Sequence, residues 1–218
     1  SEMCIRDSYY NRKGQNVSIM NIVPIQRDWL MLGTVEGILL FDIKRGHFLN
    51  DTLSTALHLL KPSTLVKQEN SVYIGTEGEV YTYSLRDGTL KKLVELPTKV
   101  RVHGVLCQMF NRIWIATEGS GLYMYDLKTK ELKNYRYEDG TSGLNSNYVR
   151  SLALDQENRL WVGTYNGLNI YKEGQDCFFS IESSTSQVGA LSQNSVRCIF
   201  RDSQGGMWLG TYWGCLLY

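Results

Sequence analysis

The chain has 218 residues, of which 43% are hydrophobic and 21% charged, a balance typical of a globular protein with a sizeable core. Its formal net charge of +1 gives no reason to expect binding to nucleic acid or to an anionic membrane. No apolar run reaches the roughly 18 residues of a membrane helix, and the start lacks the pattern of a secretion signal. The three His and five Cys are scattered without metal-ligand spacing, so we expect no metal site and no cofactor.

Five segments repeat one pattern, in which an alternating apolar run ends in a small residue and Thr, and a short turn leads into a second run. In chain order they are MLGTVEGILLFD, YIGTEGEVYTYS, WIATEGSGLYMYD, WVGTYNGLNIYK and WLGTYWG. The small residues are Gly33, Gly75, Ala116, Gly163 and Gly210, which are 41 to 47 residues apart. Repeats of about 40–50 residues that hold several short strands are typical of propeller blades.

Within each unit we predict four strands, named A to D in chain order. Strand A is an alternating run such as residues 148–155 or 195–202, strand B contains the small residue and Thr, and strands C and D follow. Two-residue periodicity broken by Gly, Asn and Asp indicates hairpins. One such sheet cannot bury both of its faces, whereas radial stacking buries them and leaves short edges. The prediction is an all-β fold, an incomplete β-propeller of about five four-stranded blades.

Trp114, Trp161 and Trp208 each precede the small residue of strand B by two positions. Since this placement recurs, we interpret them as packing residues between blades, the alternative being a platform for stacking sugar rings. We interpret Gly163 and Gly210 as positions of close backbone approach or strand bending. Ala116 occupies the same position, so one blade tolerates a methyl group there.

The segments NYVRSLALDQENRLWVGTYNGLNIY and NSVRCIFRDSQGGMWLGTYWG resemble the two-component regulator propeller repeat. The match is strong over residues 147–172 and 194–214, fair over 114–126 and weaker in the first two units. The resemblance implies the periplasmic sensor region of a hybrid histidine kinase that regulates carbohydrate use. It also implies an oligosaccharide ligand, a place in an inner-membrane protein whose membrane and kinase parts lie outside this segment, and a possible homodimer of the full-length sensor.

The two ends of the chain, SEMCIRDS and CLLY, can be encoded by inverted complementary DNA strings that match the mosaic end of transposase-based sequencing libraries. We therefore expect residues 1–8 and 215–218 to derive from an adapter, and residues 9–214 to form the partial propeller. The three cysteines left, Cys107, Cys177 and Cys198, are expected to be buried free thiols, not a disulfide framework. A partial propeller is also expected to expose unpaired edges.

The strand order predicts that the B–C turns and the D–A connections share one face of the propeller. Aromatic and amide groups on such a face suit an oligosaccharide, which needs stacking and hydrogen bonds. Asn145, Asn147 and Asn194 are interpreted as turn residues. The candidate ligand-binding residues on this face are Tyr165, Asn166, Tyr212, Trp213 and Glu118.

Two other functions stay open. A propeller glycoside hydrolase or lyase would need paired carboxylates, but Glu36, Glu77 and Glu118 recur one per B–C turn, which indicates a structural repeat. The stretch RDSQGGMW resembles a sialidase box only loosely, and no motif of nucleophilic catalysis is present. We therefore expect no enzyme activity in this segment. A protein-interaction propeller is the other alternative, for which a broad polar rim would also serve.

Overall fold

The computed structural model describes residues 18–49, 52–109, 111–137, 143–184 and 191–218. Five antiparallel sheets follow one another along the chain, and within each sheet consecutive strands pair as a meander. The first two blades contain β1 (Ile19–Gln26), β2 (Trp29–Thr34), β3 (Ile38–Asp42), β4 (His47–Phe48), β5 (Thr64–Gln68), β6 (Ser71–Gly75), β7 (Glu79–Ser84) and β8 (Leu90–Glu95).

The third and fourth blades contain β9 (Val102–Gln108), β10 (Arg112–Thr117), β11 (Leu122–Asp126), β12 (Leu132–Tyr135), β13 (Val149–Leu154), β14 (Leu160–Thr164), β15 (Gly167–Lys172) and β16 (Cys177–Ile181). The fifth blade contains β17 (Val196–Arg201), β18 (Met207–Thr211) and β19 (Cys215–Leu217). The predicted all-β propeller of five blades is confirmed, although the fifth sheet has three strands among the described residues.

One helix, α1 (Thr52–His58), was not predicted and connects the first blade to the second. Leu57 is fully buried in the apolar cluster that joins these two blades. Gly37 allows the helix to end close to the sheet, because a Cβ at this position would overlap the carbonyl oxygen of His58. A short 3-10 helix, Glu173–Gln175, lies between β15 and β16.

Each blade packs on the next, and strand A of one blade contacts strand A of the following one. Four apolar clusters fill the interfaces. Trp114 lies in the cluster between blades three and four, and Trp161 in that between blades four and five. Because the two faces of a blade are covered by different neighbours, the core is distributed along the series of blades.

The small residue of strand B lies opposite a residue of strand A in every blade. A Cβ at Gly163 would overlap the hydroxyl of Ser151 and come within 2.8 Å of Val196 Cγ1 in the next blade. Ala116 lies opposite Gly104, so the third blade has room for the methyl group. The glycine of strand B is thus close both to a side chain of strand A in its own blade and to the following blade. The remaining pairs are Gly33 with Asn21, Gly75 with Thr64 and Gly210 with Cys198.

The indole of each repeat Trp donates a hydrogen bond to the residue six positions earlier, at the A–B turn. Trp161 Nε1 lies 2.8 Å from Asp155 Oδ2, and Trp208 Nε1 lies 2.7 Å from Asp202 Oδ2. In the third blade Gln108 takes the place of the carboxylate, at 2.7 Å from Trp114 Nε1. These bonds satisfy the indole N–H and hold the A–B turn against strand B.

The outer face of the fifth blade is exposed. Trp208 is 38% exposed, whereas Trp114 and Trp161 are 0% and 7% exposed, because no described strand packs on the fifth blade from that side. Among the described residues, strand A of the first blade and strand A of the fifth blade do not contact each other as extensively as the A strands of successive blades do. Cys198, expected to be buried, is exposed for the same reason, while Cys107 and Cys177 are half-buried.

The structure describes one of the two segments that are predicted to derive from an adapter. Residues 1–8 lie outside the described residues. In the other segment Cys215–Leu217 forms β19, which pairs with β18. The adapter origin of both segments stays a prediction.

We expect Gly163→Ala to destabilise the protein by about 1–3 kcal/mol, because the added methyl group overlaps Ser151 and crowds Val196. Combining it with Ser151→Gly, which reproduces the Gly104–Ala116 pair of the third blade, should recover part of this loss. The hydroxyl of Ser151 is buried without a hydrogen-bond partner among the described residues, so its removal breaks no bond. Urea denaturation of the two single variants and the double variant measures the coupling.

Gly174→Ala is the matched control for this cycle, since a Cβ at Gly174 meets no atom within 4 Å. We expect its effect to stay within about 0.5 kcal/mol. Additive effects of Gly163→Ala and Ser151→Gly would show that the two positions do not compete for the same space.

Candidate functional site

The B–C turns are hydrogen-bonded to the connections that lead into strand A of the next blade. Gly78 N donates to Val100 O at 2.8 Å, and Gly119 N donates to Asn147 O at 3.1 Å. Between blades four and five, Asn194 Nδ2 donates to Asn166 Oδ1 at 3.2 Å. The turns and connections therefore share one face, as the strand order predicts. We call this face the B–C rim.

The predicted ligand-binding aromatic residues lie on the B–C rim with their rings in solvent. Tyr165 is 57% exposed, Tyr212 67% and Trp213 77%. Tyr148, from the connection into the fourth blade, packs edge-on against Tyr165 with 6.3 Å between the ring centroids. All three rings are therefore accessible to solvent on the B–C rim.

The asparagines of the rim hold the backbone. Asn145 Oδ1 accepts a hydrogen bond from Thr164 Oγ1 at 2.8 Å, and Asn145 Nδ2 donates to Asn166 O. Asn147 Oδ1 accepts from the backbone N–H of Tyr137 at 2.7 Å. The amide of Asn166 bonds to both Asn145 and Asn194, so this predicted ligand-binding side chain also ties the turn to the next blade.

Strand A carries a bulge at the same place in four blades. The residues involved are Met20, His103, Arg150 and Arg197, each of which is skipped in the pairing of strand A with strand B. A bulge inserts one unpaired residue and redirects its side chain. The bulge residues of blades three to five reach the first residue of the B–C turn of their own blade.

Two of these bulge residues are arginines stacked on the exposed tyrosines. The guanidinium carbon of Arg150 lies 5.0 Å from the ring centroid of Tyr165, and that of Arg197 lies 5.2 Å from the centroid of Tyr212. These distances are typical of cation–π contacts. The sequence analysis assigned no role to the arginines, although their shared position in YVRSL and SVRCI was a usable signal.

In the third blade, His103 and Glu118 occupy the positions of Arg150 and Tyr165. His103 Nε2 lies 3.7 Å from Glu118 Oε2. Burial lowers the pKa of His103, the charge of Glu118 opposes this, and the charges of Arg101 and Arg150 lower it further. The net shift is downward, so His103 is neutral at pH 7 and its contact with the exposed Glu118 is not an ion pair.

The opposite face, formed by the A–B turns, holds grooves that the sequence analysis did not predict. One of these grooves has a volume of about 620 Å³ and is lined by residues that include Gln68, Tyr73, Arg86, Cys107 and Met109. Burial and the neighbouring Cys107 raise the pKa of Tyr73, so its hydroxyl stays protonated. No candidate ligand-binding residue lines this groove.

The described part of the chain has neither a cluster of metal ligands nor a membrane-spanning helix. No group of three or more His, Cys, Asp or Glu side chains there is placed to hold a metal ion. Its helices are too short to cross a membrane.

The two component regulator propeller family matches residues 143–166 and 190–213 of the chain. Each matched segment runs from the D–A connection through strand B into the B–C turn, and so contains one Arg–Tyr pair of the rim. Two segments of the chain thus match the two-component regulator propeller repeat, as the sequence predicted.

Several known proteins are similar to this chain in sequence or structure. Histidine kinase P4 of Formosa agariphila is 41% identical over 59 residues, which is 27% of this chain and 4% of that protein. The extracellular domain of a protein assigned to the hybrid two-component systems of B. thetaiotaomicron matches with a TM-score of 0.70 and 28% identity, over 95% of this chain and 28% of that chain. This chain thus spans less than a third of either protein.

A second extracellular domain from B. thetaiotaomicron, assigned to a one-component system, has a TM-score of 0.54 and 21% identity. The match covers 97% of this chain and 34% of that one, and at this identity it shows the fold alone. By its fold and repeats, the chain is a propeller similar to the extracellular domains of two-component systems.

We expect the pKa of His103 to lie below its ordinary value of 6.5, for the reasons given above. Arg150→Gln should raise this pKa by removing a repelling charge, and Glu118→Gln should lower it further. Because the unfolded chain binds more protons, the stability contributed by His103 is lost as the pH falls below about 6.5. An NMR titration of the imidazole measures the pKa in each variant.

Arg86→Gln, a charge removal on the opposite face, is the control and should leave the titration of His103 unchanged. If neither Arg150→Gln nor Glu118→Gln moved it, these side chains would not share a rim with His103.

Proposed function

We propose that this chain is the ligand-sensing propeller of a hybrid two-component sensor histidine kinase, placed in the periplasm as part of an inner-membrane protein. It perceives an oligosaccharide, and the parent protein, acting as a homodimer, regulates carbohydrate use. The observation that carries the proposal is the set of exposed aromatic residues on the B–C rim, Tyr165, Tyr212 and Trp213, within the segments that match the sensor family.

The chemistry of the rim supports a sugar ligand. An aromatic ring offers an apolar face to the C–H groups of a pyranose, while side chains and backbone groups around it bond to the hydroxyls. Tyr165 and Tyr212 occupy equivalent positions in adjacent blades, so the rim repeats the same surface in blades four and five. A ligand with repeating sugar units fits a surface that itself repeats.

We propose no catalytic role for this part of the sensor. The carboxylates of the B–C turns, Glu36, Glu77 and Glu118, belong to three successive blades, so their recurrence follows the repeat. Glycoside hydrolysis needs two carboxyl groups within about 5–10 Å on either side of one bond. The structure matched at 28% identity is the extracellular domain of a hybrid two-component system, which favours binding over catalysis.

A protein-interaction propeller is the second candidate. It is favoured by exposed apolar side chains on the fifth blade, where Phe200 is 65% exposed and Trp208 38%. Such a patch suits a protein surface better than a sugar. The two candidates therefore use different faces of the propeller and can be separated by mutation.

We expect one class of oligosaccharide to bind the purified chain in isothermal titration calorimetry with a panel of defined sugars. Tyr165→Ala and Tyr212→Ala should each weaken binding about tenfold, equivalent to ~1.4 kcal/mol, since each removes one stacking ring. Trp208→Ala should leave sugar binding unchanged, because Trp208 lies on the exposed outer face of the fifth blade and not on the B–C rim.

Phe179→Ala is a matched control, because Phe179 is 51% exposed and carries the Lys172 ammonium 5.4 Å from its ring centroid. It lies on β16, away from the B–C turns. Equal weakening by Phe179→Ala would move the site off the rim. Failure of every sugar in the panel to bind would remove the sensing proposal in favour of the protein-interaction candidate.

A further inference from the structure

The B–C rim carries two arginine side chains that have no hydrogen-bond or ion-pair partner among the described residues. Arg159 bonds to Asp155 and Arg112 bonds to Glu173, so both guanidinium groups have carboxylate partners. The guanidinium groups of Arg150 and Arg197 make no hydrogen bond or ion pair with any described residue. Each guanidinium carbon lies over a tyrosine ring, and its N–H donors make no hydrogen bond with a described residue.

The backbone does not require arginine at these positions. The same bulge holds Met20 in the first blade and His103 in the third, so residues of different size and charge fit it. Folding therefore explains the bulge but not the choice of residue. In the fourth and fifth blades the choice places a cation on an aromatic ring at the rim.

The other charges of the rim leave a positive region around the arginines. Arg101 and Arg150 both act on the titration of His103, so the positive charges of blades three and four lie near one another. Among the described residues of blades three to five, two acidic residues share the rim, while Glu36 and Glu77 lie in the B–C turns of the first two blades. Glu118 faces His103, and Glu182 lies beside Gly167. Neither forms an ion pair with Arg150 or Arg197.

We propose that the B–C rim binds the anionic groups of an acidic oligosaccharide, uronate carboxylates or sulfate esters, through Arg150 and Arg197. The planar guanidinium suits both groups because its parallel N–H donors match two oxygens at once. The tyrosine beneath each arginine fixes the plane of the guanidinium and offers a surface to the adjoining sugar ring. This inference rests on the proposed function and names the class of its ligand.

Calorimetric titration of the full chain with three oligosaccharides of equal length tests the proposal: an oligogalacturonide, a sulfated oligosaccharide and a neutral one. We expect one of the acidic sugars to bind about tenfold or more tightly than the neutral one, with affinity falling as NaCl is added. The preferred acidic sugar distinguishes carboxylate from sulfate recognition.

Arg150→Gln and Arg197→Gln should each weaken binding of the acidic sugar about tenfold, and the Lys variants should lie between Gln and wild type, because Lys keeps the charge but loses the planar fork. Arg86→Gln, which removes the same charge from an exposed C–D turn on the opposite face, should leave affinity within about twofold of wild type. Binding should also raise the pKa of His103, since an anion beside Arg150 favours the imidazolium. A denaturation curve for each variant shows that it is folded.

The failures of the two proposals can be told apart. Equal binding of neutral and acidic sugars, unaffected by the Arg150 and Arg197 variants, would overturn the anionic ligand and leave the sensing proposal standing. Equal affinity for inorganic sulfate alone would overturn recognition of a sugar by these arginines. Absence of binding by all three sugars and by the wider panel would overturn both proposals.

Discussion

The packing of each blade against the next is the constraint on which the rest of the structure depends. A four-stranded blade has two apolar faces, and only neighbouring blades can remove both from water. The blades come close because a small residue of strand B lies between a side chain of strand A and the following blade, as Gly163 lies between Ser151 and Val196. Trp208 lies on a face that no described strand covers, and it is exposed where the equivalent Trp114 and Trp161 are buried. The packing of the next blade is therefore what buries this tryptophan.

The repeat keeps the backbone constant and varies the side chains that it presents. The bulge in strand A recurs at Met20, His103, Arg150 and Arg197, with an apolar, a neutral polar and two cationic side chains. A fixed bulge beside a fixed turn gives each of these four blades one redirected side chain and one turn residue. The chemistry of the rim can therefore change blade by blade without loss of the interior packing.

The two faces of the propeller use their polar groups differently. At the A–B turns, Asp155 and Asp202 are occupied by the indole N–H groups of Trp161 and Trp208, which makes them part of the framework. On the B–C rim the guanidinium groups of Arg150 and Arg197 lie over tyrosine rings and have no hydrogen-bond acceptor among the described residues. Unused donors beside exposed aromatic rings are the features expected of a recognition surface, whereas satisfied carboxylates are those of a structural one.

The sequence by itself determined the propeller fold, the number of blades and the face that carries Tyr165 and Tyr212, because two-residue periodicity and a repeat of fixed length are local patterns. It did not predict α1, whose Leu57 is held by contacts with two blades. Nor did it assign a role to Arg150 and Arg197, or explain why Ala116 replaces glycine. Only the tertiary structure decided these points, because the bulges and the pairing of Ala116 with Gly104 depend on strand register, and burial depends on which blade lies alongside.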